Sequence, residues 1–194
     1  MRVANDALGA TEPSTSHAPR RFSPVVTPGR TVLPVLYAGA DLGCALGETV
    51  FHDLPDDPAN PAEVFRSDFR ELRASTIEVK RDTELVDLTD SALAQLGYRR
   101  DEVVDTPPSA YVTTRLWGQL AWEQDGPAGL VWDSRRSPGQ LAFMLFVARG
   151  RARRNQLRRR AHVDAAGPPV ALYDGPGLAA VLAEATKRNV TVVF

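Results

Sequence analysis

The residue types that could do chemistry together are concentrated between Arg21 and Asp53. This stretch carries Arg21 in a proline-rich loop, Tyr37 at the end of a strand-like run and Glu48 in a helical pattern. A carboxylate can stabilise a positive charge that develops during a reaction. An arginine fork binds carboxylate or phosphate oxygens in bidentate fashion. We therefore expect any active site to be built mostly from this stretch.

The helical pattern in this stretch places polar side chains along one border. Asp41 is a suitable N-cap, and the apolar face follows the 3.6-residue period of a helix. Along the border of that face, residues recur at i, i+4 and i+8, which predicts that Glu48 faces a cleft one turn from His52. The face comprises Leu42, Ala45, Leu46 and Thr49, and the border comprises Cys44, Glu48 and His52.

Composition and motifs exclude several classes of site. The 194-residue chain has a net charge of −1, so no overall charge favours nucleic acid or an anionic membrane. It contains no phosphate-binding GxxxxGK[ST], no GxGxxG, no CxxC and no HExxH, and its three histidines are scattered, so we expect no metal. Ser134 lacks the GxSxG context of a hydrolase nucleophile.

The elements that must position these residues alternate between strand and helix patterns. Thr31–Ala38, Ser75–Lys80, Glu84–Leu88, Gly129–Trp132, Leu141–Ala148 and Val190–Phe194 are predicted strands, and Ser91–Gly97, Tyr111–Gln124 and Leu178–Lys187 predicted helices. Interleaved strands and helices predict an α+β fold. We expect a single domain over residues 1–194, with a poorly defined N-terminal arm at 1–20.

The order of several short motifs resembles the RES-domain family, which is named for its arginine, glutamate and serine. The resemblance covers roughly Arg2 to Phe146. The matching motifs are Arg-Phe-Ser-Pro at 21–24, Val-Leu-Tyr-Ala at 35–38, Ala45-Leu46 with Glu48, Val-Asp-Leu at 86–88, Thr-Thr-Arg-Leu-Trp at 113–117, and Gly-Leu-Val-Trp at 129–132 leading to Ser134-Arg135.

This resemblance implies a bacterial toxin with an ADP-ribosyltransferase-like fold of mixed β-sheets and flanking helices. It also implies cleavage of the nicotinamide–ribose bond of NAD, and a partner antitoxin with an Xre-like DNA-binding domain. The acceptor of ADP-ribose, whether water, phosphate or a protein, stays open.

The family pattern gives each candidate residue a role. Glu48 and Arg21 are the expected catalytic residues, the carboxylate opposing the oxocarbenium-like charge. Arg2 and Arg21 are expected to hold the pyrophosphate of NAD, and Tyr37 to stack on the nicotinamide or its ribose. Ser134 is expected to bond the substrate or hold Glu48, and His52 to assist Glu48.

Each of these residues also has an ordinary structural interpretation when taken alone. Glu48 and Arg21 can be solvated surface charges, Tyr37 a core residue, Ser134 a turn residue and His52 a residue with one local hydrogen bond. The family normally carries a strand ahead of its first arginine, whereas Arg2 here follows Met1 directly.

A second hypothesis concerns the seven arginines between Arg149 and Arg160. They would suit a module that binds nucleic acid or an acidic partner without catalysis. No aromatic residue is interleaved with them, so stacking on single strands is not indicated, and a solvated basic loop is the simpler interpretation.

The cellular location is inferred from cysteine use and hydropathy. Cys44 is the only cysteine, and no apolar run approaches the roughly 20 residues that span a bilayer. We expect a cytoplasmic protein.

Overall fold

The computed structural model describes residues 1–52, 54–55, 61–80, 82–124, 126–147 and 161–194. Its mixture of strands and helices confirms the predicted α+β class. The arginine-rich segment 149–160 lies outside the described residues. The second hypothesis therefore stays a prediction from the sequence.

The elements are short and alternate along the chain. The described strands are β1 (Arg2–Asn5), β2 (Val35–Gly39), β3 (Ala62–Phe65), β4 (Leu72–Ser75), β5 (Ile77–Val79), β6 (Val86–Asp87), β7 (Gly129–Asp133), β8 (Leu141–Phe146), β9 (Val163–Ala165), β10 (Val170–Ala171) and β11 (Val190–Val193). The described α-helices are α1 (Leu42–Gly47), α2 (Asp90–Gln95), α3 (Arg100–Val103), α4 (Tyr111–Glu123) and α5 (Gly175–Lys187), with 3₁₀ turns at Arg66–Phe69 and Pro108–Ala110.

A four-stranded sheet in the order β2-β8-β7-β6 forms the centre of the molecule. Its first two pairings are antiparallel, and β6 pairs with β7 in parallel. Side chains alternate across a strand, and β2 is buried on both faces. Val35 packs into one cluster, with Trp132 and Met144, whereas Leu36 packs into another, with Leu145.

A second group of elements lies beside this sheet. Strands β1, β4 and β10 form an antiparallel sheet, and β3 pairs with β11 in parallel. Helices α1 and α5 share an apolar cluster with these strands, which includes Val3, Leu46, Phe69 and Val181. Helix α1 thus begins shortly after β2, an edge strand of the central sheet, and packs on the second group of elements.

The N-terminal residues are more ordered than the sequence suggested. Residues 2–5 form β1, which pairs antiparallel with β4 from Arg2 opposite Ser75 to Asn5 opposite Leu72. Ser14 also bridges to Val35. The prediction of a poorly defined arm was wrong for these residues, because their partner strand lies about 70 residues away in the sequence and no local pattern reveals it.

The predicted strand at Thr31–Ala38 is shorter than expected, because Pro34 has no N–H to donate to a ladder. Strand β2 begins at Val35, and Tyr37 is its central residue rather than its last. Helix α1 also ends early, at Gly47, with Glu48 as its C-cap. His52 therefore lies beyond the end of the helix. It does not share a helical border with Cys44 and Glu48, as the spacing had predicted.

Helix α4 has the predicted bounds within one residue, and its aliphatic residues do not form its buried face. The buried residues are Tyr111, Thr114, Gly118 and Ala121. The aliphatic residues at i, i+4 and i+8 point outward, since Val112 is 70% and Leu116 57% exposed.

Candidate active site

A cleft of about 380 Å³ opens where β1, β2, the segment 19–23 and the end of α1 meet. Five of the six predicted site residues line it, although they come from four separate parts of the chain. The sixth, Ser134, is 2% exposed and lies behind Glu48. The five lining residues are Arg2, Arg21, Tyr37, Glu48 and His52.

Glu48 is held from two sides. Ser134 donates a hydrogen bond from its Oγ to Glu48 Oε1 at 2.7 Å. The Arg21 Nη1 atom lies 3.7 Å from Glu48 Oε2, with side-chain exposures of 5% for Arg21 and 9% for Glu48. A nearly buried carboxylate needs such partners, because an uncompensated buried charge is costly. The arrangement keeps Glu48 oriented at the edge of the cleft.

Arg21 connects Glu48 to His52. Its Nη2 lies 3.2 Å from His52 Nε2. A guanidinium can only donate, so His52 Nε2 is the acceptor if this contact is a hydrogen bond. Among the described residues the buried Arg21 Nε has no hydrogen-bond partner. The cationic group therefore faces both a carboxylate and a ring nitrogen.

Tyr37 extends from the centre of β2 towards the cleft. Its hydroxyl donates to Ser23 Oγ at 3.0 Å, and its ring makes an edge contact with Trp132 at 6.2 Å between centroids. Burial raises the pKa of Tyr37 to about 12, an effect that the bond to Ser23 partly opposes. The phenol is therefore a neutral group throughout the physiological pH range.

Arg2 makes its bonds to a neighbouring loop. Its Nη1 donates to Gly9 O at 2.8 Å and Ala10 O at 2.9 Å, and the side chain is buried. Desolvation by this burial lowers the pKa of Arg2, and Glu12 works in the opposite direction. Through these bonds Arg2 holds the loop beside the cleft in place. Part of the Arg2 side chain also lines the cleft.

Sequence reasoning missed several residues that form the cleft. Ser23 and Trp132 were not predicted as site residues, yet both line the cleft. Ser23 Oγ accepts the hydrogen bond from the Tyr37 hydroxyl. Trp132 packs against Phe22, with ring centroids 5.0 Å apart. The sequence signal for Ser23 and Trp132 was that both lie within the motifs that resemble the family. Their contacts could not be predicted, because they join separate parts of the sequence.

Neither a membrane-spanning helix nor a metal-binding cluster is found in the described part of the chain. None of the helices in it is long and apolar enough to cross a membrane. Over the same residues no group of three or more histidine, cysteine or acidic side chains is arranged to hold a metal ion.

An α+β fold that brings a glutamate, an arginine and a serine together at one cleft defines an enzyme-like module. The family comparison agrees with this class. The model of the RES domain matches residues 2–166, most of the chain, and the chain belongs to the RES domain family. Members of this family are toxin-like modules and generally enzyme-like. Comparison with curated proteins finds no match.

Proposed function

We propose that this protein is a bacterial toxin that cleaves the nicotinamide–ribose bond of NAD. The observation that carries the proposal is the position of Glu48. Its carboxylate is nearly buried, held by Ser134 and Arg21, and lies at the edge of a cleft. A carboxylate fixed in this way is suited to stabilise positive charge in a transition state without reorganising at that moment.

The bond that breaks joins the positively charged nicotinamide nitrogen to C1′ of the ribose. The bonding electron pair leaves with the nicotinamide, which becomes neutral, and C1′ becomes oxocarbenium-like. The Glu48 carboxylate opposes this charge. An acceptor oxygen from water, phosphate or a protein then bonds to C1′, and an acceptor that carries a proton releases it.

The remaining residues of the cleft suit the other parts of NAD. Arg21 and Arg2 bring positive charge for the pyrophosphate, and a guanidinium fork binds phosphate oxygens well. Tyr37 offers a neutral ring for the nicotinamide or its ribose. The contact of His52 with Arg21 supports a role in holding the arginine.

We further propose that the protein acts in the cytoplasm and is restrained by an antitoxin with an Xre-like DNA-binding domain. Family membership supports a toxin of this kind. Free activity would deplete NAD and arrest growth, so a partner that covers the cleft would restrain it.

The test is NAD loss and nicotinamide release by the purified protein, compared with Glu48→Gln. We expect turnover to fall by at least about 100-fold in the variant, because the carboxylate charge is removed while its shape is kept. Glu63→Gln, at an exposed position on β3, is the matched control and should keep full turnover. Addition of phosphate distinguishes phosphorolysis from hydrolysis.

Unchanged turnover in Glu48→Gln would remove the mechanism. A folded wild-type protein that releases no nicotinamide, with or without phosphate, would contradict NAD cleavage with water or phosphate as acceptor. Cell protein would then be added with NAD that carries a label in its adenosine half. Labelled protein would show transfer to a protein acceptor, and its absence would exclude that as well.

A further inference from the structure

The segment that carries Arg21 has no regular secondary structure of its own. Residues 20–25 lie between the N-terminal loop and β2, and they form no strand or helix. Arg21 nevertheless is 5% exposed, and its guanidinium meets both Glu48 and His52. Something outside the segment must therefore hold it in place.

Helix α4 makes two contacts with this segment and a third with Val26, the residue that follows it. Thr114 donates a buried hydrogen bond from its Oγ1 to Arg21 O at 2.6 Å. Gly118 lies so close that an added Cβ would be 2.2 Å from Phe22 O. Gln119 Oε1 accepts from Val26 N at 3.1 Å.

The Thr114 hydroxyl makes a different kind of bond from the hydroxyls of Thr49 and Thr186. A threonine in or at the end of a helix commonly bonds the carbonyl four residues earlier. Thr49 does so to Ala45 O at 2.7 Å, and Thr186 to Leu182 O at 2.9 Å. Thr114 is directed across to the Arg21 segment instead, and it is 1% exposed.

We infer that Thr114 is a positioning residue, which acts through the backbone of Arg21 to set where its guanidinium meets Glu48. Gly118 permits the close approach that this bond requires, because any side chain there would displace the Phe22 carbonyl. The same close approach explains why a glycine occupies the point of α4 that faces Phe22. The catalytic consequence rests on the proposed function, whereas the positioning itself does not.

The test compares Thr114→Val, Thr114→Ser and Thr113→Val. Valine keeps the shape of Thr114 and removes the hydroxyl, and serine restores the hydroxyl. Thr113 is the neighbouring exposed residue on the same helix, so Thr113→Val makes the same chemical change without touching Arg21. Each variant is measured for NAD turnover and for backbone amide hydrogen exchange in the peptide that spans Arg20 to Val26.

We expect kcat/KM for NAD to fall about 10- to 100-fold in Thr114→Val, since small misplacements of a reacting group have effects of this size. Exchange in the Arg20–Val26 peptide should become faster, with the rest of the protein unchanged. Thr114→Ser should recover most of the turnover and Thr113→Val should match the wild type.

Wild-type turnover and exchange in Thr114→Val would overturn the inference, and so would an equal loss in Thr113→Val. Faster exchange throughout the protein, with unchanged turnover per folded molecule, would make Thr114 merely structural. If the wild type does not consume NAD, the proposed function fails. Faster exchange confined to the Arg20–Val26 peptide would then still support the positioning role.

Discussion

At the scale of single residues, Glu48 depends on partners from distant parts of the sequence. Ser134 reaches it across 86 positions, and Arg21 approaches from a loop. Both partners hold the carboxylate in place, one by a hydrogen bond and one by charge. The role of Ser134 suggested by this geometry is to hold Glu48, which was one of the two roles expected for it.

Ser134→Ala tests this role. The variant removes the hydroxyl that donates to Glu48 Oε1, so we expect NAD turnover to fall about 10-fold or more and the free energy of unfolding to fall by about 1 kcal/mol. Turnover assays and chemical denaturation measure the two effects. Ser67→Ala, at an exposed position, is the control. Full turnover in a folded Ser134→Ala protein would contradict the role.

At the scale of elements, Arg188 connects helices α1 and α5 with the loop between β7 and β8. It follows the C-terminus of α5, and its Nη2 donates to Gly43 O in α1 at 3.0 Å and to Ser137 Oγ at 2.8 Å. Its Nη1 donates to Glu184 O at 3.0 Å and also pairs with the Glu184 carboxylate. Because Glu48 is the C-cap of α1, the bond to Gly43 also helps to hold the helix that ends at Glu48.

Arg188→Ala is therefore expected to lower the free energy of unfolding by about 2–3 kcal/mol, since hydrogen bonds to charged groups contribute about 1.5–3 kcal/mol. Urea denaturation of both proteins measures the difference. Arg99→Ala is the matched control, because Arg99 is 73% exposed and its ion-pair partner Asp101 is 64% exposed. Its effect should stay within about 0.5 kcal/mol. Equal effects would show that the Arg188 bonds contribute little.

At the scale of the whole molecule, burial does not follow hydrophobicity alone. Leu130 in β7 is fully buried among Trp132 and Met144, whereas Leu116 in α4 is 57% exposed. The same residue type therefore has opposite environments on two neighbouring elements that pack together.

This difference in burial predicts a large loss of stability when Leu130 is replaced by alanine and almost none when Leu116 is. Leu130→Ala should destabilise the fold by about 2–5 kcal/mol, because it removes buried methyl groups and leaves a cavity. Leu116→Ala should change stability by no more than about 0.5 kcal/mol. Thermal and urea denaturation of the two variants measure this. A large loss from Leu116→Ala would mean that the outer face of α4 is covered.

Local sequence patterns predicted most of the regular elements. The runs that became β7, β8, α4 and α5 have periodicities and flanking turn residues that act within a few positions, so the sequence alone revealed them. Residue type and spacing suggested Arg21, Tyr37, Glu48 and His52 as candidate site residues. The resemblance to a family gave them roles and added Arg2 and Ser134.

The tertiary structure decided what no local pattern contains. The pairing of β1 with β4, the bond from Ser134 to Glu48 and the contact of Thr114 with Arg21 each join residues more than 65 positions apart. The tertiary structure also determines which face of α4 is buried. The Arg21 segment approaches too closely for large side chains at Gly118, so packing overrode the hydrophobic pattern of the helix.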